Sequence, residues 1–451
     1  MTQAVNELTH KNCLIVGLGQ TGLSCARFLT KHALGVVVMD TREQPPGLTT
    51  LQHEFPQVLV KTGGLDLDWL LKADMIVLSP GVDPRLPEIS AAREAGIEIV
   101  GDVELFARYA NAPIVAVTGS NGKSTVTTLL SLMAQLAGKN VLTGGNLGTP
   151  ALDLLTEEAP DFYIVELSSF QLETVTSLNA FAAVVLNVSP DHLDRYDSVA
   201  DYQQAKQKIF NGDGVMVINR DDPVVSAMAI AGRNQIGFSL QASKGVDFGL
   251  LEDNGKTWLA EGEYPLLAVD QMKIVGKHNQ ANALAALALG SAMALPMPAM
   301  LSALQEFKGL PHRCRLVRTL NEVRWFNDSK ATNVGACVAA IEGLADHGMI
   351  VLIAGGEGKG QDFSELTPSL QHAVRAVVLI GEAAAQIAAA IPAGVMQINA
   401  KDMNDAVQQA QKAAQPGDNV LLSPACASFD MFSGYAERGE VFEQAVRRLA
   451  T

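Results

Sequence analysis

Aromatic residues are scarce in this 451-residue chain, at 5% of positions. That is thin for a platform that stacks single-stranded bases. Charge is modest and unbalanced: 33 Lys and Arg against 48 Asp and Glu leave a formal net charge of −15. A surface of that sign disfavours nucleic acid polymers and anionic membranes, which need a basic face. It permits a small anionic ligand, which needs positive potential only locally. The five cysteines (Cys13, Cys25, Cys314, Cys337, Cys426) are odd in number and include no C-x-x-C pair. Such usage fits buried thiols in a reducing compartment. Met1 to Lys11 holds Glu7 and no apolar run, so no secretory signal is expected. Residues 279–305 carry no charge, but Gly290, Ser291, Pro296 and Pro298 interrupt them. The unbroken apolar part, Ala283 to Leu289, falls far short of the ~20 residues of a membrane span. A buried helix in a soluble, cytoplasmic protein is the expectation.

The hydrophobic share, 48%, excludes wholesale disorder. A single core stops growing near ~250–300 residues, so two to four domains are expected. Apolar, β-branched runs recur at Cys13–Val16, Val36–Met39, Met75–Leu78, Ile114–Val117, Tyr163–Glu166, Ala183–Asn187, Val215–Asn219, Met349–Ala354, Ala376–Ile380 and Val420–Leu422. Each precedes a turn and then a helical pattern. That alternation predicts α/β domains with parallel sheets covered on both faces. Turn signals near Val100-Gly101 and Lys308-Gly309-Leu310-Pro311 divide the chain into 1–101, 102–309 and 310–451. Residues 236–275, with Gly, Asp and alternating patterns, read as an antiparallel excursion of the middle domain.

Ligands in such sheets bind where strands end, so the residues after each run carry the interest. Gly17-Leu18-Gly19-Gln20-Thr21-Gly22 follows the first run and opens a helix, matching G-x-G-x-x-G. Its glycines allow a tight turn, and its helix N-terminus offers N–H donors to phosphate. Asp40, ending the second run, is placed to bind a ribose hydroxyl. A dinucleotide, another nucleotide or no ligand all remain open. Thr118-Gly119-Ser120-Asn121-Gly122-Lys123-Ser124-Thr125 follows the fourth run and precedes a helix. It is shorter than the strict P-loop, yet its chemistry is a phosphate cradle: backbone N–H groups, Lys123 for charge and Ser124 for Mg²⁺.

Glu166 ends a strand, where a Mg²⁺ contact and a structural ion pair are both open. Asp191-His192 follow the next strand. Lys206 lies in a helical segment, Tyr202–Phe210, where a surface lysine is the plain expectation. Asn279 and Asn282 sit at a helix start, where capping is the simpler role. In the last third, Asn327-Asp328-Ser329-Lys330-Ala331-Thr332-Asn333, Gly355-Gly356-Glu357-Gly358-Lys359-Gly360 and Ser423-Pro424-Ala425-Cys426-Ala427-Ser428-Phe429-Asp430 each follow an apolar run. Three polar or glycine-rich loops at three strand ends predict one ligand face.

The chain resembles the bacterial Mur ligases. The resemblance rests on Thr118–Thr125 with Glu166-Leu167-Ser168-Ser169, Asp191-His192, His278-Asn279, Pro311-His312-Arg313, Asn327–Asn333 and Gly355–Lys359. Asp40-Thr41-Arg42, Gly101-Asp102-Val103-Glu104-Leu105-Phe106 and Ser423–Asp430 are most similar to the branch that adds D-glutamate. Branches adding L-alanine usually carry His in place of Asn121. Those adding a diamino acid carry Asp-Asn-Pro-Arg, which this sequence lacks.

The resemblance implies three domains: a Rossmann-like amino-terminal domain, a central P-loop ATPase-like domain and a Rossmann-like carboxy-terminal domain. It implies ATP-dependent joining of D-glutamate to UDP-N-acetylmuramoyl-L-alanine through an acyl phosphate, with ATP and Mg²⁺ as cofactors, small-molecule substrates as partners, and a monomer. Gly119, Asn121, Gly122, Lys123, Ser124, Thr125, Asn279, Asn282, Arg313 and Asp328 would bind the nucleotide. Ser124, Glu166, His192 and a carbamylated Lys206 would hold metal. Gly19, Gln20, Thr21, Asp40, Thr41, Arg42, Gly81, Asn146 and Ser168 would meet the UDP-substrate. Lys330, Thr332, Lys359, Ser428 and Phe429 would meet D-glutamate. Lys123, His192, Lys206 and Lys330 would be catalytic, and the last domain would close over the middle one. An NAD(P)-dependent oxidoreductase, a P-loop switch without ligase activity and a Mur-type ligase for another amino acid are the competing expectations.

Overall fold

The computed structural model describes residues 8–189, 191, 195–345 and 348–450. Three sheets organise three domains. The first contains β1 (Asn12–Val16), β2 (Gly35–Asp40), β3 (Leu59–Thr62), β4 (Met75–Leu78) and β5 (Glu98–Val100), all parallel, in the order β3-β2-β1-β4-β5. The order reverses beside β1, so the loops after β1 and β4 flank a crevice. The second contains β6 (Ile114–Thr118), β7 (Val141–Gly145), β8 (Phe162–Glu166), β9 (Ala182–Val185), β10 (Val215–Asn219), β11 (Gln235–Phe238), β12 (Phe248–Asp253), β13 (Lys256–Glu261) and β14 (Tyr264–Ala268). Its order is β14-β13-β12-β11-β10-β9-β6-β8-β7. The third contains β15 (Arg315–Leu320), β16 (Val323–Asn327), β17 (Ile350–Gly355), β18 (Val374–Ile380), β19 (Met396–Asn399) and β20 (Asn419–Leu422), in the order β15-β16-β20-β17-β18-β19. Only β15 runs antiparallel there.

All ten apolar runs overlap parallel strands, two of them (Ala183–Asn187 and Met349–Ala354) running past a strand end. Central ones such as β6, β17 and β20 are buried along their whole length, because helices cover both faces. Antiparallel pairing begins only at β12, whereas β11 runs parallel to β10. The excursion expected over 236–275 is therefore a three-stranded meander preceded by one more parallel strand. The uncharged stretch forms parts of two helices, Lys277–Ala292 and Met297–Glu306, separated at Leu295-Pro296. No described helix is long and apolar enough to cross a membrane.

The helix Asp102–Tyr109, capped by Gly101, joins the first two domains. Val103, Leu105 and Phe106 are fully buried in a cluster that also holds Ile15 and Val77 of the first sheet and Ala116 and Val165 of the second. The two domains thus share a core across this helix. The last domain has its own clusters on either face of its sheet.

Arg438, 1% exposed, ties two ligand-face loops of the last domain together. It donates to the carbonyls of Ser329 (2.8 Å), Cys426 (3.0 Å) and Ala427 (3.0 Å), and to Ser329 Oγ (3.0 Å). Burial lowers its pKa to about 10. Arg438→Ala would leave those buried acceptors unpaired, at a cost of about 3 kcal/mol or more. Calorimetry should show a clearly lowered unfolding temperature for this variant. It should show little change for Arg447→Ala, whose pair with Glu443 is exposed.

Candidate active site

The phosphate loop turns between β6 and the helix Lys123–Leu136. Gly122 caps that helix with φ 86°, a left-handed conformation open to glycine. Asn121 N–H donates to Asn187 Oδ1 (2.8 Å), whose amide donates back to Asn121 O (3.1 Å). Ser120 Oγ donates to Ser189 O (3.0 Å) and meets the Tyr202 hydroxyl (3.0 Å). Lys123 Nζ donates to Gly119 O (2.7 Å) and Ser120 O (2.9 Å).

Lys206 Nζ donates to the same Gly119 carbonyl at 3.0 Å and lies 4.5 Å from the centre of the Tyr202 ring. The residue is 1% exposed, so the surface position expected of a helical lysine is overturned. Its place in the helix Val199–Gln207 faces inward beside Tyr202 and Ala205. Desolvation, with Lys123 nearby, holds its pKa well below the ordinary lysine value. Lys123 is lowered as well, chiefly by burial.

Glu166 ends β8 next to the phosphate strand, paired with Val117. Its Oε1 accepts from Asn146 Nδ2 (2.7 Å), while Oε2 is buried with no hydrogen-bond partner. A buried, unpartnered carboxylate oxygen on the strand beside the phosphate strand suits a cation. Ser168 caps the helix Ser169–Glu173 in a capping box with Gln171, so its hydroxyl already has a structural role. His192 lies outside the described residues. Asp191 Oδ2 accepts from Asn333 Nδ2 (3.2 Å), which also reaches Asn121 Oδ1 (3.5 Å).

A cavity of about 370 Å³ lies between the middle and last domains. Asn121, Gly122, Thr125, Asn279 and Asn282 line it from one side, and Arg313, Asp328 and Lys330 from the other. Asn279 and Asn282 are not helix caps: Gly276 occupies that position. Asn279 Nδ2 donates to Val275 O (2.8 Å), and Asn282 Nδ2 to Asn279 Oδ1 (3.3 Å), leaving amide edges toward the cavity. His278 is half-buried, and desolvation lowers its pKa to about 4. Arg313 crosses the domain boundary and donates to Ser124 Oγ (2.7 Å). Asp328 accepts from Cys314 N–H (3.0 Å) and Ser423 Oγ (2.9 Å), and burial raises its pKa to about 7.

The three loops of the last domain are laced together. Asp328 N–H donates to Leu422 O (2.8 Å), and Gly355 N–H to Pro424 O (2.9 Å). Glu357 and Ala427 exchange two backbone bonds, at 3.1 and 3.0 Å. Lys330 Nζ lies 4.0 Å from the centre of the Tyr435 ring. Lys359 shares a second cavity, about 230 Å³, with Ser189, Asp191 and Gly335. Thr332 is half-buried, Ser428 buried and Phe429 70% exposed.

In the first domain, Gly17 has φ 96°, and a Cβ there would lie 2.8 Å from Ser79 Cβ. Gly19 caps the helix Gln20–His32, and Thr21 lies in its first turn. Gln20 Nε2 reaches Gly148 O of the middle domain (3.4 Å). Asp40 is already committed: it accepts from Leu18 N–H (2.6 Å), Arg42 N–H (2.9 Å) and the Arg42 guanidinium (2.8 and 2.6 Å). These bonds keep its pKa low despite burial. Gln20, Thr41, Arg42, Glu43 and Gly81 are among the exposed groups at this edge.

Sequence reasoning missed Asn187, Tyr202, Asn333 and Arg438 as parts of the site. Tyr202 and Arg438 act from within helices, and no local motif marks them. Asn333 ends the polar run Asn327–Asn333, and that polarity is its only signal.

Family models match three stretches: "Mur ligase MurD-like, N-terminal domain" over 11–101, "Mur ligase middle domain" over 117–290, and "Mur ligase, glutamate ligase domain" over 312–426. The chain is 53% identical over 436 residues to a UDP-N-acetylmuramoylalanine--D-glutamate ligase of Nitrosococcus oceani, covering 97% of this chain and 96% of that protein. It is 51% identical over 439 residues to the protein of the same name in Pseudomonas aeruginosa, covering 97% and 98%. Two solved structures share the fold. MurF ligase from Thermotoga maritima in complex with ADP has a TM-score of 0.63 at 16% identity, covering 100% of both chains. UDP-N-acetylmuramate-alanine ligase MurC from Thermotoga maritima has a TM-score of 0.61 at 19% identity, covering 97% and 99%.

Arg313 is the cation that spans the cavity to the phosphate loop. Arg313→Ala should weaken nucleoside triphosphate binding by roughly tenfold or more, as expected on losing a charge-assisted contact. Isothermal titration calorimetry with a non-hydrolysable triphosphate checks this.

Proposed function

The chain belongs to the Mur ligase family, and we propose that it is the D-glutamate-adding member, joining D-glutamate to UDP-N-acetylmuramoyl-L-alanine with ATP in peptidoglycan precursor synthesis. The structural observation that carries this reading is the gathering of Asn121, Gly122 and Thr125 of the phosphate loop with Asn279, Asn282, Arg313 and Asp328 around one cleft between two domains. Lys330 lines the same cavity, and Lys359 lines a second one that shares Ser189 and Gly335 with it.

The chemistry demands such a cleft. The alanyl carboxylate and the ATP tail are both anions, so cations must lie between them before one can attack the other. Lys123 and Arg313 supply protein charge at the phosphates. Asn279 and Asn282 offer amide edges to the adenine, and Asp328 its carboxyl to the ribose. Gly119, Asn121, Gly122 and Thr125 contribute the backbone cradle. The alanyl carboxylate takes the terminal phosphoryl group, giving an acyl phosphate and ADP. The amine of D-glutamate then attacks the acyl carbon, and phosphate departs. Lys330, Lys359, Thr332 and Ser428, with Phe429, suit a dicarboxylate, whose two ends need cations and hydroxyl donors. Gly19, Gln20, Thr21, Asp40, Thr41, Arg42, Gly81, Asn146 and Ser168 form the UDP-substrate side. With Asp40 bound to Leu18 and Arg42, this edge presents N–H groups and a guanidinium, which suit a diphosphate better than the ribose of NAD.

Mg²⁺ fits the residues present. The unpartnered Glu166 Oε2 and Ser124 Oγ would hold one ion, and His192 with Lys206 a second; the ions would offset phosphate charge. For Lys206 this requires a change of sign. A buried amine with a depressed pKa is a nucleophile at neutral pH. Its nitrogen attacks the carbon of CO₂, a proton leaves to solvent, and a carbamate anion remains. Boundaries at 101 and 309, a monomer, a cytoplasmic location and closure of the last domain over the middle one complete the reading.

Phosphate release from ATP, measured with UDP-N-acetylmuramoyl-L-alanine and one amino acid at a time, should occur with D-glutamate. Release only with L-alanine or a diamino acid would reject the assignment. Lys206→Ala should lose most activity and regain part of it with added short carboxylic acids. Absence of rescue would count against the carbamate.

A further inference from the structure

The loops after β4 and β9 exchange arginines across the boundary between the first and middle domains. From the middle domain, Arg195 donates to Pro80 O (3.3 Å) and Val82 O (3.0 Å), the carbonyls on either side of Gly81. On its own side it is 2.7 Å from Glu173 Oε2, and its guanidinium carbon is 4.5 Å from the centre of the Phe170 ring. Both charged side chains are largely buried, at 11% and 14% exposure. From the first domain, Arg85 pairs with Asp197 at 2.6 Å, but this contact is exposed.

The geometry between the domains is tight. Leu78, Ser79, Pro80 and Val82 of the first domain and Phe170, Gln171, Glu173 and Arg195 of the middle one line a pocket with no room for water. Gln171 donates to the buried Asp102 (3.0 Å) beside the domain junction. A planar guanidinium that binds two carbonyls of one turn fixes that turn's conformation as well as its distance. Glu173 balances the charge where water cannot. Arg195 is therefore more than a surface ion pair, whereas Arg85 and Asp197 form one that contributes little.

We propose that Arg195 is a positioning residue. It holds the Ser79–Val82 loop, and Gly81 on it, against Phe170 and Glu173 of the middle domain. It thereby sets where the alanyl carboxylate of the UDP-substrate lies relative to the phosphate loop. The inference rests on the reading above that Gly81 belongs to the UDP-substrate site. Arg195 itself touches no reacting atom.

The test uses the full chain and compares wild type, Arg195→Ala, Arg195→Lys and Arg85→Ala. KM is measured for each of the three substrates by phosphate release. Binding of UDP-N-acetylmuramoyl-L-alanine is measured separately by calorimetry without ATP. Arg195→Ala should raise KM and Kd for the UDP-substrate roughly tenfold or more, as for a lost charged hydrogen-bond set. KM for ATP and D-glutamate should stay within about twofold. Arg195→Lys should recover only part of the loss, since an ammonium lacks the planar fork, and Arg85→Ala should match wild type. If Arg195→Ala does not fold, Arg195→Lys carries the comparison. An unchanged UDP-substrate KM and Kd, or a rise of all three KM values together, would overturn the proposal. Wild-type phosphate release with a different amino acid would instead overturn the functional reading, while the calorimetric comparison still decides the role of Arg195.

Discussion

Two lysines donate to one carbonyl. Lys123 and Lys206 both reach Gly119 O, at 2.7 and 3.0 Å. Two full ammonium charges so close, one of them buried, would repel strongly in a medium of low effective dielectric. The arrangement is sustainable if Lys206 gives up its proton, which is the direction in which burial and Lys123 drive it. One lysine then remains a charge for phosphate and the other becomes an uncharged amine. The division of labour proposed for the site, a phosphate cation beside a carbamate ligand, depends on this asymmetry.

The rest of the molecule brings partners to that loop from two directions. The last domain reaches it through Arg313 on Ser124 and Asn333 on Asn121. The first domain is held close by Gln20 on Gly148, Ser24 on Asp153 and the Arg195 contacts. The first two domains also share a packed core across Asp102–Tyr109, whereas the last has cores of its own.

Much of the fold was legible because central parallel strands must be apolar along their whole length. The strands that escaped notice are instructive. β3, β5, β7 and β19 are the edges of their sheets, with one side open to solvent, so their sequences carry no continuous apolar run. The phosphate loop and the three carboxy-terminal loops were legible because glycines and polar residues cluster at strand ends. Lys206, Tyr202 and Arg438 were not, since burial of a charged or polar side chain within a helix depends on what packs against it. At Asp40 the strand-end position suggested a ligand contact but not the bonds its oxygens accept from Leu18 and Arg42, which reach it from neighbouring loops.

The asymmetry of the two lysines can be measured directly. In CO₂-free buffer, NMR of side-chain-labelled lysine, assigned with Lys206→Met, follows the titration of each Nζ. The account predicts a Lys206 midpoint well below the free-lysine value of about 10.4, followed by a carbamate signal on adding ¹³C-bicarbonate. A Lys206 that titrates at the free-lysine value and yields no carbamate signal would contradict it.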